Sequence, residues 1–101
     1  MRSVKEGFKK EGEIARKLGG RKTAASGSRL CQNDLIVGHF SLEVKTSKGG
    51  VSITPSLIDR VTKRALREGK VPAIVISVSG HDWIAFRLSD LSYDGERFII
   101  E

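Results

Sequence analysis

A layered α/β domain with a mixed central sheet is the fold class this sequence predicts, and three observations predict it. Two segments repeat apolar residues at helical spacing, one segment alternates apolar and polar residues as a hairpin does, and Val71 to Val78 is an almost unbroken apolar run. The elements follow in the order αββαββ, which suits helices packed against a sheet of mixed direction. At 101 residues the chain is read as one domain, 1–101, in which every element shares a small core.

The first helix is predicted over Ser3 to Leu18, with Val4, Phe8, Ala15 and Leu18 as its apolar stripe and Gly19-Gly20 as its stop. Glu11 falls within that stripe while Glu13 projects from the other side, and an acid facing a core requires a partner or a cation. From Arg21 to Asn33 the chain is rich in Gly, Ser, Thr and basic residues without either periodicity, so a loop is expected there.

Asp34 to Val37 reads as a short strand, Gly38-His39 as a tight turn, and Phe40 to Lys45 as the returning strand of a hairpin. Alternation puts Phe40, Leu42 and Val44 on one face and Ser41, Glu43 and Lys45 on the other. After a polar loop, Thr54-Pro55 opens a second helix as N-cap and first-turn proline. Leu57, Ile58, Val61 and Ala65 form its apolar stripe and Gly69 ends it, with Arg60, Lys63, Arg64 and Arg67 on an adjoining face. Val71 to Val78, rich in β-branched residues, is expected to be a strand covered on both faces. Ser79 to Asp82 turns the chain into a strand over Trp83 to Leu88, with Trp83 in the core. Ser89 to Leu91 reads as a short turn or a helix start, and Arg97 to Ile100 is expected to pair along an edge.

Composition narrows the function. Eighteen Lys and Arg against twelve Asp and Glu give a net charge of +6, which favours a polyanionic partner such as nucleic acid. No apolar run spans a bilayer and the N-terminal residues do not resemble a secretory signal, so an intracellular, cytoplasmic protein without membrane association is expected. The lone Cys31 is read as passive. His39 and His81 are read as exposed turn residues, and Gly49-Gly50 beside Lys48 lacks the spacing of a nucleotide-binding P-loop, so no nucleotide cofactor is expected.

The residues that carry chemistry are Glu11, Asp34, Glu43 and Lys45. Oxygen ligands of this kind suit Mg²⁺, which takes one or two carboxylates and keeps several waters for substrate phosphates. A bound cation polarises a phosphodiester and acidifies a water, and a neighbouring lysine orients that water or offsets developing charge. A structural salt bridge between Glu11 and Lys45 is the alternative. Arg21, Lys22 and Arg29 around the Ser/Gly loop, with Lys48 and the cations of the second helix, are expected to contact phosphates, which gives affinity without sequence readout.

Lys5-Glu6-Gly7, Glu11, Ala24-Ala25-Ser26-Gly27-Ser28, Asn33-Asp34 and Leu42-Glu43-Val44-Lys45 resemble the PD-(D/E)XK nuclease superfamily, and among its members the Holliday-junction resolvases of archaea and their viruses. Asn33 stands where the superfamily's name has proline. The resemblance implies a restriction-endonuclease-like fold and a cation, Mg²⁺ with Mn²⁺ able to substitute, held by Asp34, Glu43, the Val44 carbonyl and Glu11 or its water. It implies Lys45 as the catalytic lysine, and Ser28, with Ser26 as the other candidate, near the scissile phosphate. It further implies a homodimer that nicks two opposed strands of branched double-stranded DNA symmetrically. A nuclease of the same chemistry acting on flaps, single strands or duplex, and a non-catalytic nucleic-acid-binding module, are the alternative functions.

Overall fold

The computed structural model describes residues 4–23 and 32–101, with side chains in the first helix from Gly7 onward except Phe8. Val4 and Phe8 as stripe residues, Ser26, Ser28 and Arg29 as site residues, and the passive Cys31 therefore lie outside what is described. Helix α1 spans Val4–Leu18, β1 Arg21–Lys22, β2 Leu35–Val37, β3 Phe40–Ser47, α2 Pro55–Arg67, β4 Val71–Val78 and β5 His81–Phe86. A 3₁₀ turn at Leu88–Asp90 leads to β6 (Leu91–Tyr93) and β7 (Phe98–Ile100).

Strands β1 to β5 lie side by side in chain order. Only the β3–β4 pair is parallel, and α2 is its crossover. The sheet is mixed, as expected. Helix α1 covers one face, packing Ile14 and Ala15 on Leu35, Leu42, Val44, Ala73 and Val75. Helix α2 covers the other, with Leu57 and Val61 on Ile74 and Ile76. Thus β4, buried on both sides, is the doubly covered strand its composition predicts. Among the described residues no helix is long and apolar enough to cross a membrane.

The caps follow the sequence. Thr54 Oγ1 accepts the Leu57 N–H at 3.1 Å, Pro55 takes the first helical position, and Gly69 turns the chain out of α2 at φ +69°. At the end of α1, Gly19 adopts φ +71° and the Gly20 N–H closes on the Ala15 carbonyl at 2.9 Å. Gly20 also passes so close to β2 that a β-carbon there would collide with the Val37 side chain and sit 2.6 Å from the Ile36 carbonyl oxygen.

Several expectations are corrected. Residues 21–22, read as loop, form β1, because Arg21 and Lys22 pair with Ile36 and Leu35; two residues are too few to show a period. Strand β3 runs two residues past Lys45. Leu18 and Ile58, assigned to apolar stripes, are 43% and 47% exposed, whereas Ile14 is buried. Trp83, expected in the core, is 72% exposed: its register partner Ile76 lies under α2, but α2 runs along β3 and β4 and leaves β5 uncovered. The segment 98–100 pairs with β6 in a separate two-stranded sheet and not with an edge of the main one.

Candidate nuclease site

The β2–β3 hairpin builds the site. Leu35 pairs with Leu42 and Ile36 with Ser41 across the two-residue turn Gly38-His39, and this register places Asp34 opposite Glu43. Gly38 occupies φ +56°, the conformation that the first position of a tight hairpin turn requires and that glycine adopts without steric cost. Leu42 and Val44 point to the α1 core, so Glu43 and Lys45 point to the α2 side.

Asp34 Oδ2 accepts the Val44 backbone N–H at 2.8 Å, which fixes its carboxylate against β3. Burial and the negative charges of Glu43 and Glu11 push the Asp34 carboxyl up to about 7, against the opposing pull of the Val44 N–H and the Lys45 charge. Four sequence-predicted residues, Glu11, Asp34, Glu43 and Lys45, therefore share one electrostatic neighbourhood. Glu11 stands half-buried beside Ile14 and Ala15 on α1.

Glu43 is the most enclosed of the group, with its side chain 8% exposed. Its Oε2 receives Arg60 at 3.0 Å and Lys45 at 3.6 Å, while Oε1 is buried without a hydrogen-bond partner. A buried, orphaned carboxylate oxygen is rare and costly in a native fold. Among the described residues no three of His, Cys, Asp and Glu converge into a ready cation cage. The donor set still fits Mg²⁺, because one or two carboxylates and a backbone carbonyl suffice when waters complete the shell. The unpartnered Glu43 oxygen and the mutual repulsion that lifts Asp34 are both features a cation would relieve.

The predicted DNA-contacting residues separate into groups. Arg60 lies on Glu43. Lys63 pairs with Asp59 at 3.0 Å along the exposed face of α2. Arg64 donates to the Gln32 carbonyl oxygen at 3.4 Å and so helps hold the chain leading into Asp34. Arg67 and Lys48 are exposed, as are Arg21 and Lys22 on the edge strand β1. Both histidines are exposed, as read, but His81, read as part of the turn, is the first residue of β5 and pairs with Val78.

Asn33 is the residue that sequence reasoning passed over. It is fully buried, and its Nδ2 donates to Ser41 Oγ at 2.9 Å and to the Val61 carbonyl at 3.0 Å. Thr23 adds bonds to the Asn33 and Asp34 carbonyls. Asn33 thus ties the residue before Asp34 to both β3 and α2. A polar residue immediately before a strand start was the only available signal, and both its partners are distant in sequence.

No family model matches the chain, and no curated protein matches it in sequence. Among solved structures, Hjc, a Holliday junction resolvase from the archaeal hyperthermophile Archaeoglobus fulgidus, is similar to this chain with a TM-score of 0.64. The match covers 92% of this chain and 85% of that one at 17% sequence identity. The chain therefore has the restriction-endonuclease-like fold of an archaeal Holliday junction resolvase, the fold of PD-(D/E)XK-type nucleases.

Proposed function

We propose that this protein is a metal-dependent DNA endonuclease, a resolvase that makes paired symmetric nicks in four-way junctions as a homodimer. The observation that carries the reading is half-buried Asp34 beside buried Glu43, with Lys45 on the same strand face as Glu43, on the fold of a protein named as a Holliday junction resolvase. Asp34, Glu43 and the Val44 carbonyl would hold Mg²⁺, with Glu11 directly or through water. The cation would supply Lewis acidity toward the scissile phosphodiester and toward a bound water.

The chain's own residues do the rest. Val44 N–H holds the Asp34 carboxylate in place, and Asn33 holds the backbone that presents it. Lys45, 30% exposed at the mouth of the site, orients the attacking water and offsets negative charge in the transition state. The net charge of +6 draws the polyanion to the surface without selecting a sequence, which suits recognition of branched shape.

An uncovered apolar strip supports the dimer. Because α2 stops short of β5, Trp83 (72% exposed) on the α2-side face of β5 remains open together with Ile53 (41%) and Ile58 (47%). Ile53 and Ile58 also line an apolar groove of about 200 Å³ with Pro72, Ile74 and Ala85, the last of these two residues along β5 from Trp83. Contiguous apolar surface of this kind marks an association site.

The test is cleavage of a labelled four-way junction in Mg²⁺ or Mn²⁺, beside linear duplex and single strand, by the wild type and Glu43→Gln. Symmetric nicking of the junction alone, lost in the variant, is the expected outcome. Cleavage of all three substrates would retain the chemistry and remove the junction specificity. Binding without cleavage by either protein would overturn the enzyme.

A further inference from the structure

Arg60 belongs to two sites at once. Its guanidinium lies 3.0 Å from Glu43 Oε2, yet its side chain is 43% exposed and also lines an open pocket of about 340 Å³ beyond the carboxylates. Lys45, Ser52, Thr54 and Ser56 form other parts of that pocket, and none of its lining residues is acidic. It opens at the first turn of α2, where the helix dipole favours an anion. One side of Arg60 is therefore a buried acid and the other is a cationic, hydroxyl-lined pocket of a size for a phosphodiester group.

The Glu43 carboxylate gives the second half of the argument. One of its oxygens is paired to Arg60 while the other is buried and unpartnered, so Arg60 and Lys45 neutralise Glu43 without satisfying it. A divalent ion at Glu43 would satisfy the orphaned oxygen and would repel the guanidinium beside it. The nearest place where Arg60 regains an anionic partner is the pocket it already lines, once a DNA phosphate enters.

We propose that Arg60 is a two-position residue: it pairs with Glu43 in the metal-free protein and is handed to a DNA backbone phosphate in the Lys45–Ser52–Thr54–Ser56 pocket when a divalent cation takes Glu43. The inference rests on the nuclease reading above. Its consequence is positive coupling: cation binding releases the phosphate-binding arginine, and a phosphate in the pocket draws Arg60 off Glu43, so each ligand strengthens the other by the same factor.

The experiment is calorimetric titration of Mn²⁺ into DNA-free wild type, Arg60→Gln and Lys63→Gln, with far-UV dichroism to show that each variant is folded. Lys63 carries the same charge on the same helix but is paired to Asp59. Arg60→Gln is expected to bind Mn²⁺ roughly five-fold tighter or more, with Lys63→Gln within about two-fold of wild type. In a second titration, a short DNA duplex is followed by fluorescence anisotropy with and without Ca²⁺. The gain in DNA affinity on adding Ca²⁺ is expected to be several-fold larger in wild type than in Arg60→Gln.

Mn²⁺ binding by all three proteins with Arg60→Gln no tighter than wild type would overturn the handover and leave the nuclease reading standing. Equal tightening in Lys63→Gln would reduce the effect to net charge and overturn it as well. Folded proteins that bind no Mn²⁺ at all would overturn the cation site itself, and the handover with it.

Discussion

Asp34 shows how a carboxyl group beside two other acids is held at the expense of stability. Its carboxyl is pushed from 3.8 to about 7 by burial and by the neighbouring acids, so the folded protein retains a proton that the unfolded chain has already released. Stability from this residue is complete below about pH 4 and is lost as pH rises through 7. Asp34→Asn keeps an oxygen to accept the Val44 N–H and removes the charge. In the presence of a chelator it is expected to be more stable than wild type by roughly 1–3 kcal/mol at pH 8, with the gap closing toward pH 4. Chemical denaturation at the two pH values checks this, and a wild type as stable as the variant at pH 8 would show that Asp34 is not strained by its surroundings. At the same scale, Asp34, Glu43 and Lys45 were legible in the sequence because a hairpin displays its pairings in its spacing. Arg60 on Glu43 and Asn33 under α2 were not, because both contacts depend on how the crossover helix lies on the sheet.

The elements were legible in proportion to their length and amphipathicity. Helix α2 carries its cap, its stripe and its stop in sequence order, and β4 advertises its double burial by being apolar throughout. Strand β1 has only two residues, and its existence follows from the pairing of Arg21 and Lys22 with β2. The hairpin of β6 and β7, with Tyr93 and Phe98 rings 5.3 Å apart, carries its own two-stranded sheet, a separation that strand propensity does not encode. The joint between α1 and β1 makes a sharper demand. Gly20 approaches the Ile36 carbonyl so closely that even a methyl group has no room, and backbone cannot yield as a flexible side chain does. Gly20→Ala is expected to lower stability by about 1–3 kcal/mol in urea denaturation, the usual cost of overpacking. An unchanged midpoint would mean that β2 moves aside freely.

At the scale of the whole molecule, the sheet has more apolar surface than its two helices cover. Sequence patterning placed Trp83 in the core because an apolar strand is normally covered, and it could not show that α2 ends its reach at β4. The exposed strip around Trp83, Ile58 and Ile53 is expected to be closed by a second copy of the chain. Trp83→Lys should therefore convert a dimer into a folded monomer by light scattering at micromolar concentration, with an unchanged far-UV spectrum. Equal masses for the two proteins would remove Trp83 from any interface. The Gly38-His39 turn has a different kind of reach. Since side chains alternate along β3, a one-residue slip of its register would swing Glu43 and Lys45 toward α1 and send Leu42 and Val44 toward α2. In evolutionary terms the hairpin is read in steps of two, so a change in the turn is compatible with this site only where the loop takes it up and the pairing of β2 with β3 stays in phase.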